Sequence, residues 1–270
     1  MISRLLLIFC LIPVAALASS LNRPVLSLVI DDLGYSFTAA KQVIDLPGNH
    51  SFSIIPGVTY SQKIAKYANS QNKEILLHLP MQSSDPTGPE EMNSLNIEMS
   101  EQQVINRVNI LLKTFPNIKG INNHMGSRLT ALDFYMKPVM ESIKKYNNSL
   151  YFLDSRTTPL SRAYQVALNS GLNTLERDVF LDNEPNVESI WVQFNIWLNK
   201  SRKNGASIAI AHPHSDTIKF LNDNISRFTL DYEFRTISEL IAINNPPRQE
   251  KQSWPKYLSH LHQGLKILKQ

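Results

Sequence analysis

The chain has 270 residues, 43% hydrophobic and 19% charged, a balance that supports one barrel-sized folded domain and excludes a disordered chain. A single cysteine excludes a disulfide framework. The net charge of +4 comes from Arg248, Lys251, Lys256, Lys266 and Lys269 against Glu250 at the C-terminus, so the body offers no basic surface and no nucleic-acid partner is expected.

Arg4, the apolar stretch 5–14 and Ala16-Leu17-Ala18 read as a cleavable secretion signal over residues 1–18. The stretch is shorter than the roughly 20 residues a membrane span needs. Cys10 lies inside it, so the mature chain has no cysteine, which fits an exported, periplasmic protein. Seven short apolar runs follow, each ending in a polar cluster. They are 26–30 into Asp31-Asp32, 52–55 into Pro56-Gly57, 75–77 into His78 and 118–121 into Asn122-Asn123-His124. The rest are 150–153 into Asp154-Ser155-Arg156, 179–181 into Asp182-Asn183 and 208–211 into His212-Pro213-His214. Runs of this kind are buried parallel strands.

Helical segments separate them. Residues 60–71 and 132–146 have helical period, with Pro138 a kink or late start in the second. Ser100 and Gln103 form a capping box ahead of Val104, Val108, Leu111, Leu112 and Phe115. Ser161 caps a helix through Ser170 that Gly171 stops, and Ile190, Trp191, Phe194 and Leu198 share one face of a helix ending at Gly205. The stretch 82–97, broken by Pro86, Gly88 and Pro89 and carrying Asp85, Glu90 and Glu91, reads as a long loop above the carboxyl edge of the sheet. Asn244-Asn245-Pro246-Pro247 closes the domain at 19–245. Beyond it, 246–270 is a basic tail whose Leu258, Leu261, Leu265 and Leu268 form an amphipathic stripe suited to a membrane surface, a partner groove or the chain's own body. The β-α alternation predicts an α/β fold, a barrel or an open sheet, with function at the carboxyl ends of the strands.

Those ends carry the chemistry. Adjacent strand residues point to opposite faces, so Asp31 and Asp32 converge only where the strand ends. There one carboxylate can hold a metal while the other polarises water. An isolated Asp-Asp is more often a solvated turn, and a lone His78 or His124 is more often a hydrogen-bonded core residue. Together, Asp32, His78 and His124 make the three-ligand set of a catalytic metal with one open position. Without cysteine the donors are N and O, which suits zinc and also cobalt, nickel or manganese. His212 and His214 face the same way in an extended segment, and one of them can act as a general acid. Arg128, Arg156, Arg177, Asp154, Asp178 and Asp182 are either partners that orient these groups or surface ion pairs.

The motifs Ile30-Asp31-Asp32-Leu33-Gly34, His78-Leu79-Pro80-Met81, Asn122-Asn123-His124-Met125-Gly126-Ser127-Arg128, Phe152-Leu153-Asp154-Ser155-Arg156, Arg177-Asp178-Val179-Phe180-Leu181-Asp182-Asn183 and Ala211-His212-Pro213-His214 resemble, in order, the divergent branch of the polysaccharide deacetylase family. The resemblance covers about residues 24–243. It implies a distorted (β/α) barrel of about seven parallel strands. It also implies that Asp31 is the base, Asp32 a metal ligand and His212, in Ile210-Ala211-His212, the acid. The family's H-[ST]-x-x-H motif is altered, because Gln82 stands four residues after His78; chain order makes His124 the replacement ligand. Its R-x-P-x-G and D-x-x-x-W motifs are not recognisable. Asn123, Arg128, Asp154, Arg156, Asp178 and His214 are expected to support the site or bind substrate. The implied activity is metal-dependent hydrolysis, zinc foremost, removing acetyl groups from the N-acetylated sugars of a cell-envelope polysaccharide such as peptidoglycan. The alternative is a non-catalytic periplasmic glycan-binding or envelope partner protein on the same fold.

Overall fold

The computed structural model describes residues 23–87 and 91–244; the leader read at 1–18 and the tail at 246–270 lie outside the described residues. The elements run β1 (Val25–Leu33), α1 (Phe37–Ile44), β2 (Ser51–Ile54), α2 (Ser61–Ser70), β3 (Glu74–Met81), α3 (Glu101–Leu111), β4 (Gly120–Met125) and α4 (Asp133–Tyr146). They continue with β5 (Tyr151–Asp154), α5 (Ala163–Asn169), β6 (Asn173–Glu176), β7 (Val179–Phe180), α6 (Val187–Asn204), β8 (Ala206–Ala211), α7 (Ser215–Asn224), β9 (Glu233–Phe234) and α8 (Ile237–Asn244). All seven apolar runs are strands. They belong to one parallel sheet of order β6-β5-β4-β3-β2-β1-β8-β7, curled into a half-barrel whose path ends at β6 and β7. The short β9 adds to the start of β1.

Strand alternation sorts the two faces. Leu26, Leu28 and Ile30 of β1 pack in the large core beneath the helices. Val25 and Val29 join Leu76, Tyr151, Leu153, Ile208 and Ile210 in a smaller cluster that lines the inside of the curl. Ile237 and Leu240 of α8, both buried, fill that inner cluster. Its amino end is polar. Glu74 accepts hydrogen bonds from Ser51 Oγ (2.8 Å), Tyr151 OH (2.8 Å) and the Ser238 N–H (3.3 Å), which fastens the start of α8 to β2, β3 and β5. Gly120 makes room for this packing, since a Cβ there would lie 2.3 Å from the Tyr151 ring.

The helices follow the sequence reading with adjustments. The Ser100–Gln103 capping box is formed. Gly205, with φ 84°, stops α6 in the left-handed conformation that glycine tolerates best. Helix α4 starts at Asp133 and simply contains Pro138, so that proline is not a late start. Ser161 Oγ accepts from the Ala163 N–H at 3.3 Å, at the first residue of α5. The cap position itself is one residue later, at Arg162, and Ser161 Oγ also donates to Asp154 Oδ2 at 2.7 Å.

Since every strand and helix of the described residues lies before Asn245, a chain stopped at Asn245 should melt within about 2–4 °C of the full chain, the shift that roughly 1 kcal/mol gives at this size. Leu240→Ala, which empties the inner cluster, should instead cost about 2–5 kcal/mol in denaturant unfolding.

Candidate metal centre and active site

Strand β1 does not end at the Asp-Asp pair as the sequence suggests. Its pairing with β2 shifts register between Ile30 and Leu33, and Asp32 takes a left-handed backbone with φ 58°. Asp31 keeps the parity of Val25 and Val29 and faces the inside of the curl. The irregularity turns Asp32, which regular pleating would send outward, to the same side. Left-handed backbone costs Asp less than most residues.

Two histidines meet Asp32 there. Its Oδ1 lies 2.8 Å from His124 Nδ1 and 3.0 Å from His78 Nε2. One ligand atom from each of the three residues lies within 4.8 Å of the others. Both imidazoles are buried, and Asp32 is one-third exposed. Burial opposes ionisation of Asp32, but the hydrogen bonds and charges of His124 and His78 outweigh it and hold the carboxyl far below the usual range. Burial likewise opposes protonation of His78, and the charge of Asp31 with the bond to Asp32 overcomes it, raising its pKa.

Asn122 organises this cluster. Its Nδ2 donates to Asp31 Oδ1 (2.8 Å) and Oδ2 (3.0 Å), acceptors only, which fixes the orientation of the amide. Its Oδ1 then accepts from His78 Nδ1 at 2.8 Å. A neutral His78 so anchored presents the lone pair of Nε2 toward Asp32. One carboxylate oxygen and two imidazole nitrogens, all within 4.8 Å of one another, fit the donor set of a divalent first-row cation.

His212 stands opposite. Its Nδ1 lies 2.9 Å from Asp182 Oδ1, and its backbone N–H and Thr217 Oγ1 donate to Asp182 Oδ2 at 2.7 and 2.8 Å. Its Nε2 is 3.9 Å from Asp32 Oδ2. Burial pulls the His212 pKa down, but the Asp182 hydrogen bond and the nearby charges of Asp32, Asp182 and Asp31 push it up to about 9. The ring stacks on Phe180 at 4.9 Å, and Phe180 carries the Arg177 guanidinium at 4.9 Å on its face. A cavity of about 260 Å³ opens at this place, lined by Asp32, Leu33, Gly34, Tyr35, Ser36, Ala39, His212, Pro213 and His214.

Asp31, Asp32, His78, His124 and His212 are thus brought together, and the other expected residues divide. Asn123 fastens the ends of β4 and β5, accepting from the Ser155 N–H at 2.9 Å and donating to Met125 O at 2.8 Å. Asp154 turns away from the cluster. It accepts from the Arg156 N–H (2.8 Å), Ser161 Oγ (2.7 Å) and the Tyr164 N–H (3.2 Å), ordering the start of α5. Arg156, itself left-handed at φ 52°, pairs with Glu176 at 3.4 Å. Asp178 does not belong to the site. It lies before β7, accepts from the Ile208 N–H at 2.9 Å and pairs with Lys200 at 3.8 Å, three residues short of the end of β8. His214 is exposed, its ring 5.8 Å from that of His212. Arg128 lines an adjacent polar cavity of about 340 Å³ with Gln82, Ser83, Glu91 and Asn96. Among the arginines and acids left open by the sequence, Asp182 is an orienting partner, and Arg177 donates to the Ser155 and Arg156 carbonyls at 2.7 Å each. Asn122 was missed as a site residue, although strand parity with His124 marks it. The loop 82–97 does reach the carboxyl edge: the Gln82 N–H donates to Leu95 O at 2.8 Å, and Glu91 stands beside His124.

The chain as a whole resembles known proteins. A family profile described as divergent polysaccharide deacetylase matches residues 28–241. The uncharacterized protein YibQ of Escherichia coli K12 is 35% identical over 241 residues, 89% of this chain and 74% of that one. An uncharacterized Agrobacterium tumefaciens protein of known structure superposes with a TM-score of 0.74 at 24% identity, over 82% of this chain and 94% of that one. The catalytic domain of a peptidoglycan N-acetylglucosamine deacetylase from Eubacterium rectale superposes with a TM-score of 0.50 at 13% identity, over 79% of this chain and 88% of that one, a likeness of fold. With a profile match spanning most of its length, the chain belongs to the divergent polysaccharide deacetylase family.

Proposed function

We propose that this protein is a periplasmic, metal-dependent hydrolase that removes acetyl groups from N-acetylated sugars of a cell-envelope polysaccharide. The observation that carries the reading is the Asp32 carboxylate held between His78 and His124, with Asp31 and His212 flanking it. Asp32, His78 and His124 would hold a divalent cation, zinc foremost, which would supply Lewis acidity to the amide carbonyl and acidify water. Asp31, steadied by Asn122, takes the proton from the attacking water. The water oxygen bonds to the acetyl carbon, the C–N bond breaks, and His212 gives its Nε2 proton to the departing amine. Two features suit His212 to that role: the Asp182 hydrogen bond favours its protonated form against burial, and Asp182 on Nδ1 turns Nε2 toward Asp32. The leader read at residues 1–18 accounts for export, and the basic tail offers a peripheral membrane or protein contact.

The test is acetate release from purified peptidoglycan, the polymer chosen because the Eubacterium rectale fold neighbour acts on it by name. Zinc-loaded protein should release acetate. Asp31→Asn should lose that turnover while keeping near-normal zinc, since a proton acceptor changes and a ligand does not. Loss of zinc from the variant would make Asp31 a ligand. A fully loaded wild type that releases no acetate from any N-acetylated envelope glycan would favour the glycan-binding alternative.

A further inference from the structure

We propose that Glu91, reaching in from the loop after β3, is a positioning residue that holds His124 in the tautomer able to bind a metal, and that Tyr35 holds Glu91. The inference rests on the metal reading above and extends it to two residues outside the ligand set. His124 turns Nδ1 to Asp32 at 2.8 Å. Its other nitrogen, Nε2, is buried and has no hydrogen-bond partner among the described residues. Glu91 Oε1 stands 3.7 Å from that nitrogen and accepts the Tyr35 hydroxyl at 2.7 Å.

A histidine that gives Nδ1 to a cation carries its ring proton on Nε2, and a buried N–H needs an acceptor. Glu91 is placed to be that acceptor. An approach of less than about 1 Å closes the gap to an ordinary N–H···O bond of roughly 2.9 Å. The carboxylate fixes the tautomer and makes the ligand more basic, as outer-shell partners of metal histidines do. Tyr35 comes three residues after Asp32 on the loop from β1, so two loops of the carboxyl edge meet at one carboxylate. Burial and the Glu91 carboxylate raise the Tyr35 pKa, so the phenol stays a donor. Glu91 side-chain exposure is 16%, enough for substitution without opening the core.

Zinc affinity of the full-length protein, measured by competition with a chromophoric chelator, tests the inference without reference to turnover. Glu91→Gln keeps the shape and can still accept from Tyr35, but replaces a charged acceptor with an amide. Its zinc affinity should fall about 10- to 100-fold, and the visible spectrum of its cobalt form should shift. Tyr35→Phe should weaken zinc in the same direction by less. The metal-free melting temperature of both variants should stay near that of the wild type, which separates positioning from mere packing of the loop. Wild-type zinc affinity and cobalt spectrum in Glu91→Gln would overturn the inference and leave the metal reading standing. Should Glu91→Gln not fold, an unchanged zinc affinity in Tyr35→Phe would overturn it equally. A wild type that binds no zinc would overturn both.

Discussion

Asp32→Asn should abolish acetate release and weaken zinc by more than about 100-fold, beyond the 10- to 100-fold that outer partners are worth. The variant is chosen on backbone grounds. Asp32 sits at φ 58°, where Asn is nearly as comfortable as Asp, whereas Ala would add roughly 1–2 kcal/mol of strain. Asn therefore removes the charge that faces both imidazoles and leaves the irregular end of β1 in place. Zinc titration and metal-free melting on the same preparation check this: affinity should collapse while the fold persists. An unfolded variant would instead mark Asp32 as structural.

His212→Gln should cut kcat by about 100- to 10,000-fold, the worth of a positioned general acid, with zinc content close to normal. The pH dependence has a defined sign. In the metal-free protein the Asp182 bond and neighbouring carboxylates, working against burial, raise the His212 pKa to about 9, above the unfolded value of about 6.5. The resulting stabilisation is complete below about pH 6.5 and is lost as pH rises through about 9. Asp182→Asn removes the charge beside Nδ1, so the ring should titrate lower, and the stabilisation should be smaller and gone by a lower pH. A cation at the Asp32 cluster also lowers this pKa by its charge, so turnover in the zinc-loaded enzyme should decline at or below about pH 9. Imidazole titration followed by NMR, with and without zinc, measures each shift.

The strands were legible because parallel strands beneath helices are continuously apolar, and each such run is in the sheet. The two strands not foreseen lack that signal. Asn173, Thr174, Leu175 and Glu176 of β6 are half-buried or exposed at the end of the path, and β9 is the pair Glu233-Phe234. Within the site, errors came from direction. Asp178 precedes the run of β7 and falls short of the carboxyl edge, whereas Asp182 follows it and holds His212. The motif reading points to Asn123, whereas period-two alternation puts Asn122 with His124 on the inner face. Asp31 and Asp32 were expected to converge because the strand stops; they converge because a left-handed residue and a register shift bend it. The sequence puts Glu91 on the loop above the carboxyl edge but not beside His124, since neither period nor motif fixes the path of a long loop.

Anomalous scattering at the zinc edge, from crystals of the zinc-loaded protein, tests the central claim most directly. Two groups of described residues could hold an ion, Asp32 with His78 and His124, and Asp182 with His212 and His214. In the second group Asp182 is already taken up by His212 and Thr217. The account predicts an anomalous peak in contact with Asp32, His78 Nε2 and His124 Nδ1. A peak at Asp182 and His214 with none at Asp32 would contradict it.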